Sequence, residues 1–250
     1  MSYHIKEDRL HQKWKKRYPN QVYNKDGLLY MGEQSTNYES RKPGNEELLW
    51  EKADIRILFI LKESYGNEDP QDLREWMPHK STGRIYSNMC RMVYGISNFN
   101  RKNYSYPSYN TLDMDKIRTA VAKIPYGYIN IKKTPGLSRS DDQEIARFFM
   151  QDYDLIEEQI KILNPNVIFF CGILFKNRKI KMKVMEMFSC HNKKDDSWIT
   201  TNQDKNIAIV DSYHLNPMGN ITDERFYFEL MESYKDYCKM SENSIFDISK

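Results

Sequence analysis

Ile55-Arg56-Ile57-Leu58-Phe59-Ile60-Leu61 is a nearly continuous apolar run that breaks abruptly into the polar cluster Lys62-Glu63-Ser64-Tyr65-Gly66. Such a run is typical of a strand buried on both faces, as in a parallel sheet covered by helices. A second apolar run, Ile207-Ala208-Ile209-Val210, is followed by Tyr213-His214-Leu215-Asn216-Pro217-Met218-Gly219. Open α/β sheets gather ligand-binding groups at the carboxyl ends of their strands. We therefore expect a carboxylate and a histidine to meet across one cleft.

Two more predicted strands lie between these runs. Residues 126–131 end in Lys132-Lys133-Thr134-Pro135-Gly136, and residues 167–171 are closed by Gly172. The intervening segment predicts one helix, with Ser140 and Gln143 as a capping box and an apolar face from Ile145 to Leu163. Strand, helix and strand in this order predict a right-handed parallel crossover. The expected fold is a three-layer α/β/α architecture with a central, mainly parallel four-stranded sheet.

The composition favours one folded domain spanning 1–250. Of the 250 residues, 40% are hydrophobic and 29% are charged, as in folded soluble proteins. We expect a peripheral N-terminal extension over 1–50, a core over 51–240 and a loose tail over 241–250. The final helix of the core is predicted to be capped by Thr222.

The predicted location is cytoplasmic, with no membrane partner. No apolar run approaches the roughly 20 residues of a membrane span, and residues 1–8 lack the apolar core of a signal peptide. The cysteines are Cys90, Cys171, Cys190 and Cys238, which are far apart and form no Cys-x-x-Cys pair. Buried thiols are the favoured interpretation, so no metal or other cofactor is expected.

The four strand ends together resemble the uracil-DNA glycosylase superfamily. The segment 61–66 is similar to that superfamily's Gly-Gln-Asp-Pro-Tyr-His motif, with Glu63 at the acid and Tyr65 at the tyrosine. The base-reading asparagine is matched by Asn130, and the His-Pro-Ser-Pro-Leu loop is similar to 214–218. Leu61 and Ser64 replace a glycine and a proline of the first motif, and Leu215 replaces the first proline of the last. No cysteine ligands of the superfamily's iron–sulfur branch occur near residues 1–50.

The resemblance implies a set of catalytic and substrate-binding residues for hydrolysis of an N-glycosidic bond. Glu63 would orient a water and stabilise the cationic sugar, and His214 would donate a hydrogen bond to the departing base. Asn130 would pair with the edge of uracil, and Tyr65 would close the pocket against thymine. Asn216 is the remaining substrate-binding candidate. Each residue also has an ordinary structural interpretation, such as an ion pair, a cap or a core contact.

The predicted partner is DNA that contains uracil or another damaged base. Lys132, Lys133 and Arg139 would contact the phosphate backbone, and Met218 would wedge into the duplex. Two further basic segments, 13–17 and 176–183, are more typical of solvated helix faces. Because the net charge is only +3, binding to a polyanion would depend on such local groups.

Three functions remain open from the sequence. The first is a metal-independent glycosylase acting on a flipped nucleotide. The second, suggested by the departures at Leu61, Ser64 and Leu215, is a non-catalytic nucleic-acid or nucleotide-binding module with the same fold. The third is a hydrolase of another N-glycoside, for which the same acid and histidine would be suitable.

Overall fold

The computed structural model describes residues 2–33, 41–65, 69–75, 83–136, 139–189, 199–202, 207–217 and 219–247. Its strands form one sheet in the order β1-β3-β2-β4-β6-β5. Their bounds are β1 (Gly27–Leu28), β2 (Ile57–Tyr65), β3 (Gly127–Gly136), β4 (Val167–Cys171), β5 (Ile199–Asn202) and β6 (Ile207–Ser212). The pairs β3–β2, β2–β4 and β4–β6 are parallel, whereas β1 and β5 run antiparallel at the two edges. The sheet is therefore mixed, and the predicted α/β class is confirmed.

Helices cover both faces of this sheet. Their bounds are α1 (Tyr3–Arg17), α2 (Glu46–Lys52), α3 (Arg84–Ser97), α4 (Met114–Val121), α5 (Asp142–Gln151), α6 (Tyr153–Leu163), α7 (Arg178–Met187) and α8 (Asp223–Asp247). Successive strand residues point to opposite faces. Phe59 accordingly packs with α3, α4 and α8, and Ile60 packs with α1, α5, α6 and α7. Among the described residues, no helix combines the length and apolar character that a membrane crossing requires.

The segment expected as a peripheral extension contributes to the core instead. Leu10 and Trp14 of α1 are buried against the same face as α6, and Trp50 of α2 donates its indole N–H to the Leu163 carbonyl at 2.8 Å. The short strand β1 extends the sheet beside β3. Burial of large aromatic side chains dominates core energetics, so the described part of residues 1–50 stabilises the fold directly. At the other end, α8 runs to Asp247, into the segment expected as a loose tail.

The helix predicted between β3 and β4 is broken in two. The α5 helix ends at Gln151, and the Asp152 carboxylate accepts hydrogen bonds from Arg17 at 2.8 Å and from the Tyr18 hydroxyl at 3.0 Å. These tertiary contacts favour two separate helices over the single continuous helix that the apolar pattern predicts. The N-cap of α5 is Asp141 rather than Ser140, since the Asp141 carboxylate accepts from the backbone N–H of residue 143 at 2.8 Å. The predicted cap at the start of α8 is confirmed by a 3.1 Å bond to Thr222 Oγ1.

Candidate active site at the carboxyl edge of the sheet

Glu63 lies near the carboxyl end of β2 and is held by a lysine of the neighbouring strand. Lys132 is its register partner on β3, and the Lys132 Nζ lies 2.8 Å from Glu63 Oε2 and 3.2 Å from Glu144 Oε2. Only 3% of the Glu63 side chain is exposed. Gly136 makes room for the carboxyl group, because a Cβ there would lie 2.0 Å from Glu63 Oε2. The sheet register therefore sets the position of this acid.

The ion pair keeps Lys132 protonated. Burial by itself lowers the pKa of a lysine. Here that effect is outweighed by the contacts with Glu63 and Glu144, which raise the pKa of Lys132 above its ordinary value. The protonated Lys132 therefore supplies a positive charge beside the Glu63 carboxylate.

His214 follows β6 and has a defined hydrogen-bonding role. Its Nδ1 accepts the backbone N–H of Asn216 at 3.1 Å, so the neutral ring carries its proton on Nε2. Burial lowers the pKa of His214, and the nearby Lys62 ammonium lowers it further. Gly172, at φ +74°, lies directly behind the residue, since a Cβ there would approach His214 Cβ to 3.0 Å. The site therefore presents a neutral imidazole with an N–H donor.

The loop that carries His214 is anchored by α3, a role that was not predicted from the sequence. Arg84 donates to the carbonyls of Pro217 at 2.7 Å and Ile221 at 2.9 Å, and Asn88 donates to the Leu215 carbonyl at 2.8 Å. Each hydrogen bond satisfies a backbone carbonyl of the loop, and its donor lies far from the loop in the sequence. No local pattern around residue 84 or 88 indicates this role.

An ion-paired cluster links the ends of β2 and β4. The Asp142 carboxylate at the start of α5 lies 2.5 Å from Lys62 Nζ and 3.3 Å from Lys176 Nζ. Both ammonium groups are close enough to His214 to lower its pKa, whereas Asp142 opposes them. The cluster therefore adds net positive charge on the side of the imidazole.

Asn130 is buried on β3, on the other side of β2. Its backbone N–H donates to Asp26 Oδ2 at 2.7 Å, which anchors the residue. The residue is 2% exposed, and its side-chain Oδ1 has no hydrogen-bond partner among the described residues. An unpaired buried amide oxygen is costly unless a ligand or water satisfies it. Asn130 therefore has an acceptor to offer to a ligand.

Lys133 requires a correction. Its side chain is buried on the face of α1 and α6, where Nζ donates to Asp26 Oδ1 at 2.6 Å and to Gln159 Oε1 at 2.8 Å. An ammonium engaged in this way cannot reach a phosphate backbone. Lys132 and Lys133 are adjacent in sequence, but Lys132 reaches Glu63 and Glu144, whereas Lys133 reaches Asp26 and Gln159 in the interior.

The remaining predicted site residues are more exposed. The Tyr65 ring is 74% exposed and so does not close a pocket in this structure, which corrects that expectation. The side chains of Asn216 and Arg139 are exposed, and Asn216 contributes its backbone N–H to His214. Met218 lies outside the described residues.

The topology brings three of the predicted residues to one edge. Asn130 belongs to β3, Glu63 to the adjacent β2, and His214 follows β6, which is separated from β2 only by β4. With strands about 4.8 Å apart, β2 and β6 are about 10 Å apart. This separation leaves room for a small ligand between a carboxylate and a neutral imidazole donor.

Comparisons with known proteins leave the family open. No protein-family model matches the chain, and no curated protein matches it either. The described residues contain no group of three or more His, Cys, Asp or Glu side chains that could hold a metal ion. Cys90, Cys171 and Cys238 are buried and form no disulfide within the described part of the chain, and Cys190 lies outside it. The geometry of the carboxyl edge is therefore the main guide to function.

Proposed function

We propose that the chain is a DNA base-excision glycosylase that hydrolyses the N-glycosidic bond of uracil or a related damaged base, on a fold similar to that of the uracil-DNA glycosylase superfamily. The observation that carries the proposal is the state of His214. A backbone N–H occupies Nδ1, so the neutral ring offers its Nε2–H as a donor at the edge that also carries Glu63. Charge develops on the base oxygen as the glycosidic bond breaks, and a preorganised neutral donor stabilises it.

In this mechanism Glu63 acts on the sugar. Its carboxylate, paired with Lys132, orients a water for attack on C1′, accepts the proton that this water loses, and stabilises the oxocarbenium-like transition state. The departing base takes the electron pair of the broken bond as an anion. The His214 N–H then stabilises that anion through the base oxygen.

Base recognition is assigned to Asn130. Its buried, unpaired Oδ1 would accept the imino N–H of uracil, and its amide N–H would donate to a uracil oxygen. Cytosine presents no N–H at the same ring position, so it would leave the acceptor unpaired. Sites that pair a polar group in this way reject analogues that cannot reproduce the hydrogen bond.

One observation favours a second candidate, a non-catalytic nucleic-acid-binding module. Glu63 is 3% exposed and lies 2.8 Å from Lys132 Nζ, so part of its negative charge is neutralised and water has limited access to it. If Lys132 stays in place when the ligand binds, the site would bind a nucleotide without activating a water.

Base release from a labelled uracil-containing oligonucleotide, followed by alkaline cleavage, separates the two candidates. Wild-type activity should fall by about 100- to 1,000-fold in His214→Ala and by at least about 100-fold in Glu63→Gln. Glu158→Gln serves as the control, because Glu158 is an exposed carboxylate paired with Lys13 on the surface. Binding of the oligonucleotide without release of uracil or hypoxanthine would reject the glycosylase and favour the module.

A further inference from the structure

Asn24 joins three parts of the chain at the carboxyl edge of the sheet. It lies between α1 and β1, outside the segments that resemble the glycosylase superfamily, and it is 1% exposed. Its side-chain Nδ2 donates to Ser64 Oγ at 2.7 Å, and its Oδ1 accepts the backbone N–H of Gln71 at 2.9 Å. The backbone N–H of Asn24 donates to the Lys133 carbonyl at 3.0 Å. Asn24 therefore ties the end of β2 to β3 and to the segment that contains Gln71.

The orientation of the Asn24 amide follows from these partners. A backbone N–H can only donate, so the amide atom that faces Gln71 is the oxygen. The other amide atom is then the NH₂ group, which has only donors to offer to the Ser64 hydroxyl. Both ends of the buried amide are thus satisfied by groups that other segments of the chain supply.

The bond to Ser64 lies where the sheet is irregular. Glu63 is the register partner of Lys132, and Tyr65 is the register partner of Gly136. The register shifts between these two pairs, and Ser64 lies at the shift. Where a ladder is disrupted in this way, the regular backbone hydrogen bonds no longer fix the strand. The side chain of Asn24 supplies a fixed contact at this point.

Serine at position 64 makes such a contact important. The similar glycosylase motif has proline at this position, and a proline ring fixes the φ angle of its residue. Serine has no such restriction, so the backbone beside Glu63 depends on tertiary contacts for its conformation. The hydrogen bond from Asn24, 40 residues away in the sequence, provides one.

The same segment also holds the strand that carries Asn130. Asp26, two residues after Asn24, accepts the backbone N–H of Asn130 at 2.7 Å. Residues 24–26 therefore contact both β2, which carries Glu63, and β3, which carries Asn130. One short segment from the amino-terminal part of the chain thus fixes the two strand ends relative to each other.

We propose that Asn24 is a positioning residue that holds Glu63 in its reactive orientation through the hydroxyl of Ser64. Asn24 acts on the backbone next to Glu63. A displacement of about 1 Å can lower a rate by about 100-fold, so a contact that fixes the acid affects turnover. The kinetic part of this inference rests on the proposed function, whereas the effect on the position of Glu63 does not.

The position of Glu63 can be tested without any catalysis. Burial lowers the pKa of Lys132, and its contacts with Glu63 and Glu144 raise that pKa above its ordinary value. If Ser64→Ala releases Glu63 from its place, the pKa of Lys132 should fall, as measured by NMR titration of its side chain. Ser64→Thr retains the hydroxyl and should preserve the wild-type pKa. An equal pKa of Lys132 in the wild type and in Ser64→Ala would overturn the inference.

The matched control is Ser105→Ala. The Ser105 hydroxyl also bonds an asparagine, since it donates to Asn103 Oδ1 at 2.6 Å, but this pair is exposed in the loop between α3 and α4. The control should change neither the pKa of Lys132 nor the rate of base release. If it lowers the pKa of Lys132 as much as Ser64→Ala does, the inference is wrong.

Base release from the uracil-containing oligonucleotide tests the kinetic consequence. Ser64→Ala should lower kcat by up to about 100-fold with little change in KM, because the acid is misplaced while the bound ligand keeps its other contacts. Ser64→Thr should restore turnover. A rise in KM with unchanged kcat would contradict a role in positioning Glu63.

Double variants separate positioning from general damage to the fold. In Glu63→Gln, addition of Ser64→Ala should cause little further loss, because the group that it positions no longer acts as a base. In His214→Ala, the same substitution should keep its full effect. Equal losses in all three backgrounds would overturn the inference. Absence of base release by the wild type would reject the glycosylase, and the titration of Lys132 would still decide whether Asn24 and Ser64 position Glu63.

Discussion

Replacement of Asp26 by asparagine should strongly destabilise the fold, although the two side chains have nearly the same shape. The Asp26 carboxylate is completely buried and accepts from Lys133 Nζ at 2.6 Å, from Gln159 Nε2 at 3.1 Å and from the Asn130 backbone N–H at 2.7 Å. The variant leaves the Lys133 ammonium in the protein interior without its counter-ion. The remaining contacts of that ammonium are Gln159 Oε1 at 2.8 Å and the ring of Trp14, with its centroid 4.6 Å away.

The expected loss is about 3 kcal/mol of unfolding free energy. At 2.6 Å and an effective dielectric constant of 20, two unit charges attract by about 6 kcal/mol before desolvation is counted. Removing one partner of a buried pair typically costs about 3–5 kcal/mol. The amide oxygen of asparagine and the contacts with Gln159 and Trp14 compensate in part, which places the loss at the lower end. Native domains are stable by only about 5–15 kcal/mol, so the effect is readily measured.

The loss should also shrink as the pH rises. Burial lowers the pKa of Lys133 in the folded state, and Asp26 opposes this lowering. The unfolded chain therefore binds more protons between the lowered folded pKa and the ordinary pKa of lysine, and stability rises with pH in that window. Without Asp26 the pKa of Lys133 in the folded state falls further. The pH range over which stability rises therefore begins at a lower pH, and the variant regains more stability under alkaline conditions.

Urea unfolding of Asp26→Asn, Lys133→Met and the double variant, at pH 7 and at pH 9.5, measures these effects. The double variant should be more stable than the sum of the single losses predicts, because neither charge is left unpaired. Lys161→Met is the control, since Lys161 forms an exposed pair with Glu157 and should cost at most about 1 kcal/mol. A loss below about 1 kcal/mol in Asp26→Asn, or additive single losses, would refute the reasoning.

The charged groups around the site and α1 lead to three further predictions. Lys62→Met should raise the pKa of His214, which NMR titration measures. The acid limb of the pH profile of the base-release rate should move to higher pH with it. An unchanged pKa of His214 would mean that the charge of Lys62 is already fully offset. Burial opposes protonation of His4, but the Glu46 carboxylate at 2.6 Å and a second buried carboxylate raise the pKa of His4 to about 9. The contribution of protonated His4 to the free energy of unfolding should be complete below pH 6.5 and disappear as the pH rises through about 9. In urea titrations, His4→Gln should flatten the dependence of the unfolding free energy on pH over this range. Arg84→Met should lower base release by up to about 100-fold at saturating substrate, because the loop that carries His214 loses two anchoring hydrogen bonds. Undiminished turnover would show that the loop holds its position without them.

Several elements could be predicted from local sequence. Residues 57–61, 167–171 and 207–210 are strands because apolar runs of this length must be covered on both faces, and the structure places them as three strands of one sheet. The cap at Thr222 depends only on its own hydroxyl and a backbone N–H three residues away. Such features involve neighbours in the chain, so their physics is visible in the sequence.

Other features depend on partners distant in sequence. The break between α5 and α6 follows from Asp152 binding Arg17 and Tyr18, the latter 134 residues away. The same limit applies to β1, which is only two residues long and gains its partners from β3. A pattern of hydrophobic residues contains no information about which distant donor will reach a given carboxylate.

The sequence by itself determined that this chain forms an α/β sheet and that Glu63, Asn130 and His214 belong to strands or to the segment just after one. Only the tertiary structure decided the state of each group: Glu63 beside Lys132, Asn130 with an unpaired buried oxygen among the described residues, and His214 with its Nδ1 occupied. It also assigned Lys132 to the site and its neighbour Lys133 to the interior. The reason is physical: apolar periodicity is set by the local backbone repeat, whereas the charge and hydrogen bonding of a buried group are set by atoms that only the folded chain brings within a few ångströms.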